Sequence, residues 1–483
     1  NGNKMSKSLG NVIDAFELLS KNTSDLIRFY FMWKSSPIES LSFNSQEMVS
    51  RPYQVLSTLY YLHIYLSQNS SYDKFNIKDI NIDELITSNL LKLPERWILS
   101  KLQHTIESVT IAFEKCRFND GARILEDFVI NNLSQFYVPL TRDVIWDDSN
   151  DTLKHRNVVY AVLGYVLFTV NILLHPIAPF ITEYLYLECF KKYAVLLNES
   201  WPQIINKLYD VEAERTLDLA RKVISLSNGA RMKAKIKRRW PLEKIVICFK
   251  EPMTIHLNDP EFLGILKTQL NVNRLETYNF EDKDSYEILR KLIDMHLVNL
   301  NGKLKAQRIA PHVRAALSSV MKKFESMRVT ILKSILYDGR YCLIYPDGNL
   351  ELTSEDIELS YSPVENYEMA ESESGDILVF LSIERSQELL AKAFLKDIAR
   401  NLQQFRKEKG YIPTAILPYA YVSNLNEDEL KTLEGLKKEL AYLVRVKSVV
   451  LTKNEVENAE YKNIEIDGRQ ILVSVSGDIE SDL

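Results

Sequence analysis

The residues with the clearest chemical potential stand at the start of the chain, where residues 4–8 read Lys-Met-Ser-Lys-Ser and Gly10 follows. Two ammonium groups, on Lys4 and Lys7, occupy one short segment whose hydroxyls and nearby glycine let the backbone approach a phosphate closely. Positioned cations stabilise the negative charge that develops when a carboxylate attacks the α-phosphate of ATP. The segment therefore predicts nucleotide chemistry, and a solvated basic turn is the alternative.

Two further runs decide between these interpretations. Asn-Val-Ile-Asp occupies residues 11–14, and Asp-Leu-Ile-Arg-Phe-Tyr occupies residues 25–30. In this order the three runs closely resemble class I aminoacyl-tRNA synthetases, in the subgroup for isoleucine, valine and leucine. The resemblance implies that Lys7 contacts the triphosphate in catalysis and that Lys4 supports it. It also implies that ATP, with Mg²⁺, binds a loop made of Lys4, Met5, Ser6, Lys7 and Ser8.

A second cluster of cations lies near the middle of the chain. The whole chain carries a net charge of -5, with 60 basic and 65 acidic residues, so any RNA site must be a local patch. Lys and Arg side chains neutralise phosphates, and a Trp ring can stack on an unpaired base. We therefore predict tRNA contacts here, against the alternative of a solvated helix end. The cluster consists of Arg231, Lys233, Lys235, Lys237, Arg238, Arg239 and Trp240.

A third basic group stands near the C-terminus, at residues 400–409. It resembles the Arg-x-x-Gln-x-x-Arg-Lys helix of the isoleucine branch, and residues 406–410 are its most specific part. Arg406 and Lys407 are the predicted tRNA-binding residues of this group. Two interpretations have equal weight. The group contacts tRNA, or it is only the solvated end of a helix that Gly410 caps.

Helices must position these groups, because apolar residues recur at spacings of three and four between residues 50 and 214. Five or six long helices with short connections predict a bundle. The chain has only 14 glycines, which also favours a mainly α protein. Runs typical of the family's anticodon-binding domain occur in the expected order, although each residue alone is better read as core or helix end. These runs are residues 93–102, 118–137, 175–183 and 201–202.

Beyond residue 240 the pattern changes to short apolar runs that alternate with helices. Strands are predicted at 245–249, 377–381 and 446–451, a helix at 386–407 and a hairpin at 337–348. No internal repeat is visible. The predicted fold is mainly α, with a remnant of the class I lysine loop, an antiparallel helical anticodon-binding bundle and a C-terminal α+β module. The corresponding domains are the end of the catalytic domain with its connector (1–44), the bundle (45–235) and a tRNA-interacting module of one or two lobes (236–483).

Several classes of site are absent from the sequence. The four cysteines are far apart and form no Cys-x-x-Cys pair, so no zinc site or disulfide framework is readable. We expect buried, reduced thiols in a cytoplasmic protein. The seven histidines stand singly, and no P-loop or Gly-x-Ser-x-Gly elbow occurs. The longest apolar stretch, residues 158–174, is interrupted by polar residues, so we predict no membrane span.

Taken together, the runs resemble the C-terminal part of the isoleucyl-tRNA synthetase family, of the archaeal or eukaryotic type. The family's His-Ile-Gly-His signature does not occur, so we expect this chain alone to be inactive. In the complete enzyme the resemblance implies ATP, isoleucine and tRNA(Ile) as partners of a monomer, or of a chain that pairs with a separate N-terminal half. The alternatives are a valyl- or leucyl-tRNA synthetase fragment, a non-catalytic tRNA-binding module, or half of a split synthetase.

Overall fold

The computed structural model describes residue 5 and residues 12–190, 194–250, 257–280, 284–457 and 459–476. The chain divides into two compact units, one up to Leu219 and one from Ala220 onward. Of the predicted ATP-binding loop, only Met5 is among the described residues, and its side chain is exposed. Lys4, Ser6, Lys7 and Ser8 lie outside them, so their roles stay predictions.

Helices dominate the first unit. A π-helical stretch, Phe128–Tyr137, joins α7 to α8. The last helix continues past Leu219 into the second unit. The helices are α1 Ala15–Lys21, α2 Ser24–Lys34, α3 Ser45–Met48, α4 Arg51–Tyr72, α5 Ile82–Thr87, α6 Leu93–Glu114, α7 Phe118–Asp127, α8 Val138–Trp146, α9 Leu153–Leu174, α10 Pro179–Cys189 and α11 Val211–Lys233.

The core of the first unit forms where α9 packs against α4, α6 and α10. The apolar spacing that predicted these helices also marks their buried faces, as at Leu59 and Leu66 of α4 and at Leu102 and Ile106 of α6. Among the described residues, α9 is long and apolar enough to cross a membrane, but 83% of its most apolar stretch is buried inside the protein. That burial is what the central helix of a bundle requires.

Strands and helices alternate in the second unit. Its strands are β1 Leu242–Phe249, β2 Val272–Asn279, β3 Val298–Leu304, β4 Arg340–Tyr345, β5 Gly348–Thr353, β6 Ile357–Pro363, β7 Tyr367–Glu371, β8 Ile377–Ser382, β9 Leu417–Ser423, β10 Val446–Leu451, β11 Lys462–Ile466 and β12 Arg469–Ser476. Its helices are α12 Pro260–Leu270, α13 Ser285–Asp294, α14 Ala306–Val313, α15 Leu317–Asp338, α16 Gln387–Glu408, α17 Glu427–Glu434 and α18 Lys437–Val444.

Two sheets of the second unit share one topology. The strand orders are β2-β1-β8-β7 and β10-β9-β12-β11. In each sheet the first pair is parallel and the other two pairs are antiparallel. A long helix, α11 or α16, precedes the second strand of each order. We call these the first module and the second module. The repeat that the sequence does not reveal is therefore present in the fold.

The two modules differ by an insert, residues 285–363, which lies between β2 and β7 of the first module. The insert contains the strand pair β3–β6, the hairpin β4–β5 and the helix α15, which packs on β3 and β4. Its apolar residues share one core with Cys248 of β1 and Phe380 of β8. The predicted hairpin is confirmed, although Tyr337 still belongs to α15. A separate core fills the second module.

The predicted strands and the predicted helix at 386–407 are confirmed. The prediction of buried thiols holds for only two of the four cysteines. Cys189 and Cys248 are buried, and burial raises their pKa values to about 11 and about 12. Cys116 and Cys342 are exposed, so the expectation of buried thiols is wrong for them. Cys116 has positive φ (54°) just past the end of α6, and Cys342 lies on the insert's hairpin.

Candidate nucleic-acid interface

The predicted basic cluster begins in the last turn of α11 and continues into the loop before β1. The helix ends in a Schellman motif, with Lys235 in the left-handed conformation (φ 57°). The Lys235 amide donates to the Met232 carbonyl at 3.2 Å, and the Ile236 amide donates to the Arg231 carbonyl at 2.8 Å. This turn reverses the chain, so the cations of the cluster point in different directions rather than forming one face.

Arg231 lies inside the protein, because its side chain is only 2% exposed. One guanidinium nitrogen donates to the Trp240 carbonyl at 2.8 Å and to the Lys237 carbonyl at 3.3 Å. The other donates to the Leu270 carbonyl at 2.6 Å and to the Asn271 carbonyl at 3.3 Å. Burial, together with nearby Arg238 and Arg385, lowers the Arg231 pKa to about 10, which leaves it charged at neutral pH. Burial contradicts direct RNA contact at Arg231.

An acid that the sequence pattern did not single out holds three further members of the cluster. Asp397 of α16 is 2% exposed. It accepts from Lys237 Nζ at 2.8 Å, from Trp240 Nε1 at 3.1 Å and from Arg239 Nε. Burial opposes ionisation of Asp397, but these hydrogen bonds outweigh it and lower the carboxyl pKa. The ion pair therefore ties the loop before β1 to α16.

The Trp240 ring has cations over it at short range. The Arg385 guanidinium lies 4.2 Å from the ring centroid and Lys237 Nζ lies 4.6 Å from it. Such cation–π contacts stabilise the local packing. Since Arg385 and Lys237 already lie over this half-buried ring, we correct the expectation of an exposed Trp240 that stacks on a base.

Four cations of the cluster are exposed, but Lys237 is already paired with Asp397, which leaves Lys233, Lys235 and Arg238. Lys233 Nζ donates to the Met369 carbonyl at 3.3 Å and Arg238 donates to Gln269 Oε1 at 3.4 Å. Neither contact neutralises the charge, because both acceptors are uncharged. These three residues are the members of the cluster that can meet a phosphate.

The C-terminal basic group repeats this arrangement. Arg406 is 2% exposed and donates to the carbonyls of Ala415 at 2.7 Å, Ile412 at 3.4 Å, Arg445 at 2.8 Å and Val444. Gly410 caps α16 in the left-handed conformation, as its position predicted. Burial, with nearby Arg445, lowers the Arg406 pKa. Direct RNA contact by Arg406 is contradicted by its burial, whereas Lys407 is exposed.

The connector run at residues 25–30 meets another of the runs on which the resemblance depends. Asp25 accepts from the Ile181 amide at 2.6 Å and from the Phe180 amide at 3.3 Å, which caps the first turn of α10. Arg28 donates to the carbonyls of Pro176 and Ile177 at 2.9 and 3.0 Å. These contacts, between residues 148 to 156 positions apart in the sequence, therefore fasten α2 to the start of α10. In the described part of the chain, no group of His, Cys, Asp and Glu could hold a metal ion.

Comparisons with known proteins fall on the same parts of the chain. A family model described as tRNA synthetases class I (M) matches residues 1–60. A second, described as the anticodon-binding domain of tRNA ligase, matches residues 95–247. The second match covers most of the helical bundle, α11 and the basic cluster.

Three of the curated relatives carry the same name. Isoleucine–tRNA ligase of Methanopyrus kandleri is 28% identical over 84% of this chain and 36% of its own length. The ligase of Clostridium novyi is 27% identical over 98% of this chain and 43% of its own. The ligase of Methanocella arvoryzae is 26% identical over 98% and 42%. The chain is homologous to isoleucine–tRNA ligases. It spans about two fifths of the length of these curated relatives.

Among solved structures, the chain resembles a ternary complex of Agrobacterium radiobacter K84 LeuRS with tRNA and LeuAMS. The likeness has a TM-score of 0.33 and 17% identity, and it covers 59% of this chain and 31% of the other. At that level it carries no argument about function. The isoleucine–tRNA ligase homologues are therefore the useful comparison.

Proposed function

We propose that this chain is the tRNA-recognising part of a cytoplasmic isoleucine–tRNA ligase. The observation that carries the proposal is the order of two matches, a class I synthetase segment at 1–60 and an anticodon-binding segment at 95–247. The names of the relatives support isoleucine as the amino acid. In the complete enzyme isoleucine would react with Mg²⁺-bound ATP to give isoleucyl-adenylate and pyrophosphate, and the acyl group would then pass to tRNA(Ile) with release of AMP.

The lysine-loop remnant and the bundle have separate roles in this proposal. Lys4 and Lys7 would stabilise the triphosphate during activation, within the loop Lys4–Ser8. Residues 45–235 would hold the anticodon end of the tRNA, and residues 236–483 would add contacts to its backbone. The exposed cations Lys233, Lys235, Arg238 and Lys407 are those we assign to phosphate contact in this region.

The proposal is tested by tRNA binding to the chain. Fluorescence anisotropy with a labelled tRNA(Ile) transcript is compared with tRNA(Val) and tRNA(Leu) transcripts at the same salt concentration. We expect tighter binding of tRNA(Ile) and a steep loss of affinity as salt rises, because phosphate contacts release counterions. Equal affinity for all three would contradict the isoleucine assignment. No binding at all would contradict the tRNA-recognising role.

A variant of the exposed cations sharpens that test. The substitutions K233Q/K235Q/R238Q remove three charges without touching a buried partner, so the fold should persist. We expect affinity to fall by about tenfold at 0.1 M salt. The control K431Q/K438Q/K447Q removes three exposed charges from the second module and should bind as the wild type does. Equal losses in the two variants would show that only total charge matters.

A further inference from the structure

The first part of the insert, residues 285–340, holds all of its Lys and Arg residues, whereas its last part, residues 341–363, holds five acids and no base. Residues 285–340 contain eleven Lys and Arg against four Asp and Glu, whereas the whole chain has 60 against 65. The basic residues within it are Arg290, Lys291, Lys303, Lys305, Arg308, Arg314, Lys322, Lys323, Arg328, Lys333 and Arg340. A local excess on an acidic chain is the electrostatic footprint of a surface that meets a polyanion.

The helix α15 presents much of this charge to solvent. It buries one face in the core of the insert, including Phe324 and Leu332, and its backbone bends at Met327. We define the α15 face as the exposed Lys, Ser and Thr residues of the helix together with Arg314, which lies three residues before it. The exposed Glu325 and Arg328 pair with each other and are not counted in this face. The members of the α15 face are Arg314, Ser318, Lys322, Lys323, Ser326, Thr330 and Lys333.

The charges of the α15 face are not neutralised by neighbours. Within the described residues, no ion pair forms at Lys322, Lys323 or Lys333. Among residues 317–337 the one acid is Glu325, and it pairs with Arg328 at 3.2 Å. The half-buried Lys392 of helix α16 differs in this respect, since it pairs with Glu388 of its own helix at 2.6 Å. The positive potential of the α15 face is therefore available to a partner.

The composition of the α15 face favours a phosphate backbone over a protein. Its ammonium and hydroxyl groups are hydrogen-bond donors, which is what phosphate oxygens require. Exposed large apolar side chains along α15 are confined to Val329 and Tyr337, and the Tyr337 hydroxyl already donates to Asp294. Protein interfaces need buried apolar or aromatic anchors, which this surface lacks.

We propose that the α15 face is a phosphate-contacting surface for RNA. The inference rests on the proposed function, since it takes the tRNA of that function as its ligand. It places contact on the insert, which the second module does not have. The α15 face is distinct in sequence from the exposed cations near residue 235, so the two can be tested separately.

The test compares two triple variants of the whole chain with the wild type. K322Q/K323Q/K333Q neutralises the α15 face, and K431Q/K438Q/K447Q makes the same charge change on the second module. Circular dichroism first establishes that both remain folded. Binding of a labelled tRNA(Ile) transcript is then measured from 50 to 300 mM salt. We expect the α15 variant to bind about tenfold more weakly at the low end and with a shallower salt dependence, and the control to bind normally.

Each other outcome overturns the inference in a recognisable way. If the wild type binds tRNA and the α15 variant binds equally well, the α15 face is not an RNA surface and the proposed function stands. If both triple variants weaken equally, only total charge matters. Polyglutamate is also added as a competitor at the same charge concentration as the tRNA. If it displaces tRNA from the wild type but not from the α15 variant, the α15 face recognises an acidic protein. If the wild type binds no tRNA, the proposed function fails as well.

Discussion

The two modules of the second unit hold one arginine each in equivalent places. Arg231 and Arg406 each donate to carbonyls six and nine residues later in the chain. Each also reaches the two carbonyls at the end of a helix that precedes the parallel strand, at Leu270–Asn271 and at Val444–Arg445. Asn271 and Arg445 share a φ of 52°. One guanidinium therefore fastens a helix end, a loop and a strand start in both modules.

The modules differ outside this shared centre. In the first module the loop after the arginine is rich in cations that Asp397 holds, and the insert separates β2 from β7. In the second module Gly410 occupies the position of the strained Lys235, and a much shorter segment, whose described residues form no strand or helix, separates β10 from β11. What the two modules share is buried and structural. The modules differ in the charges around this centre and in the insert, and such additions are where binding functions are placed on a fold.

The largest expected effect comes from removing the buried arginine that the two modules share. Arg231→Met or Arg406→Met keeps an apolar stem of similar length but removes the guanidinium from four carbonyls. Two of the four keep a backbone donor in each case, at Lys237 and Asn271 or at Ile412 and Arg445. Each variant should lower the free energy of unfolding by about 3–5 kcal/mol, because buried polar groups lose their partner. Urea unfolding followed by circular dichroism measures the loss.

Hydrogen exchange resolves which module is affected. Arg231→Met should reduce amide protection in β1 and β2, and Arg406→Met should reduce it in β9 and β10. Arg238→Met is the control, since Arg238 is exposed and its removal should cost less than about 0.5 kcal/mol. A cost below 1 kcal/mol at either buried arginine would show that its carbonyls find other donors, and that the equivalence of the modules is only geometric.

A smaller effect is expected at Asp397, which has no acidic counterpart in the first module. Asp397→Asn leaves Lys237 and Arg239 without their carboxylate and should cost about 2 kcal/mol at pH 7. The folded-state pKa of Asp397 is lowered, so its contribution is present above the ordinary aspartate pKa of about 3.9 and is lost as pH falls through the lower folded value. The difference between wild type and variant should therefore shrink as pH falls below about 3.9. If the stability difference between wild type and Asp397→Asn does not change with pH, the cost of the substitution arises from packing and not from the carboxylate charge.

Much of the scaffold could be predicted from the sequence. Apolar residues at helical spacing mark α4 and α6 because one face of each helix is buried, and the runs at 245–249 and 377–381 mark strands buried on both faces. The shared topology of the modules could not be predicted in this way. Its signature is a set of hydrogen bonds to backbone carbonyls, which leaves little trace in side-chain identity.

The candidate site was harder to predict for a related reason. An arginine in a basic run has the same letter whether its guanidinium faces solvent or four carbonyls. The acceptors of Arg231 lie up to 40 residues away, and Asp397 lies 160 residues from Lys237. Only the fold brings these groups together. The lysines of α15 can be read directly from the sequence, but their lack of acidic neighbours is a property of the folded surface.

The smallest expected effects come from substitutions at the two equivalent helix ends. Lys235 and Gly410 occupy the same position of a Schellman motif, at φ 57° and 79°. Lys235→Gly removes a strained side chain and should stabilise the protein by up to about 1 kcal/mol, while Gly410→Ala should destabilise it by about 1 kcal/mol. A Cβ on Gly410 would meet no atom within 4 Å, so the cost reports backbone conformation alone. If Lys235→Gly lowers the melting temperature as Gly410→Ala does, a contact of the Lys235 side chain outweighs its backbone strain. The two helix ends would then not be equivalent.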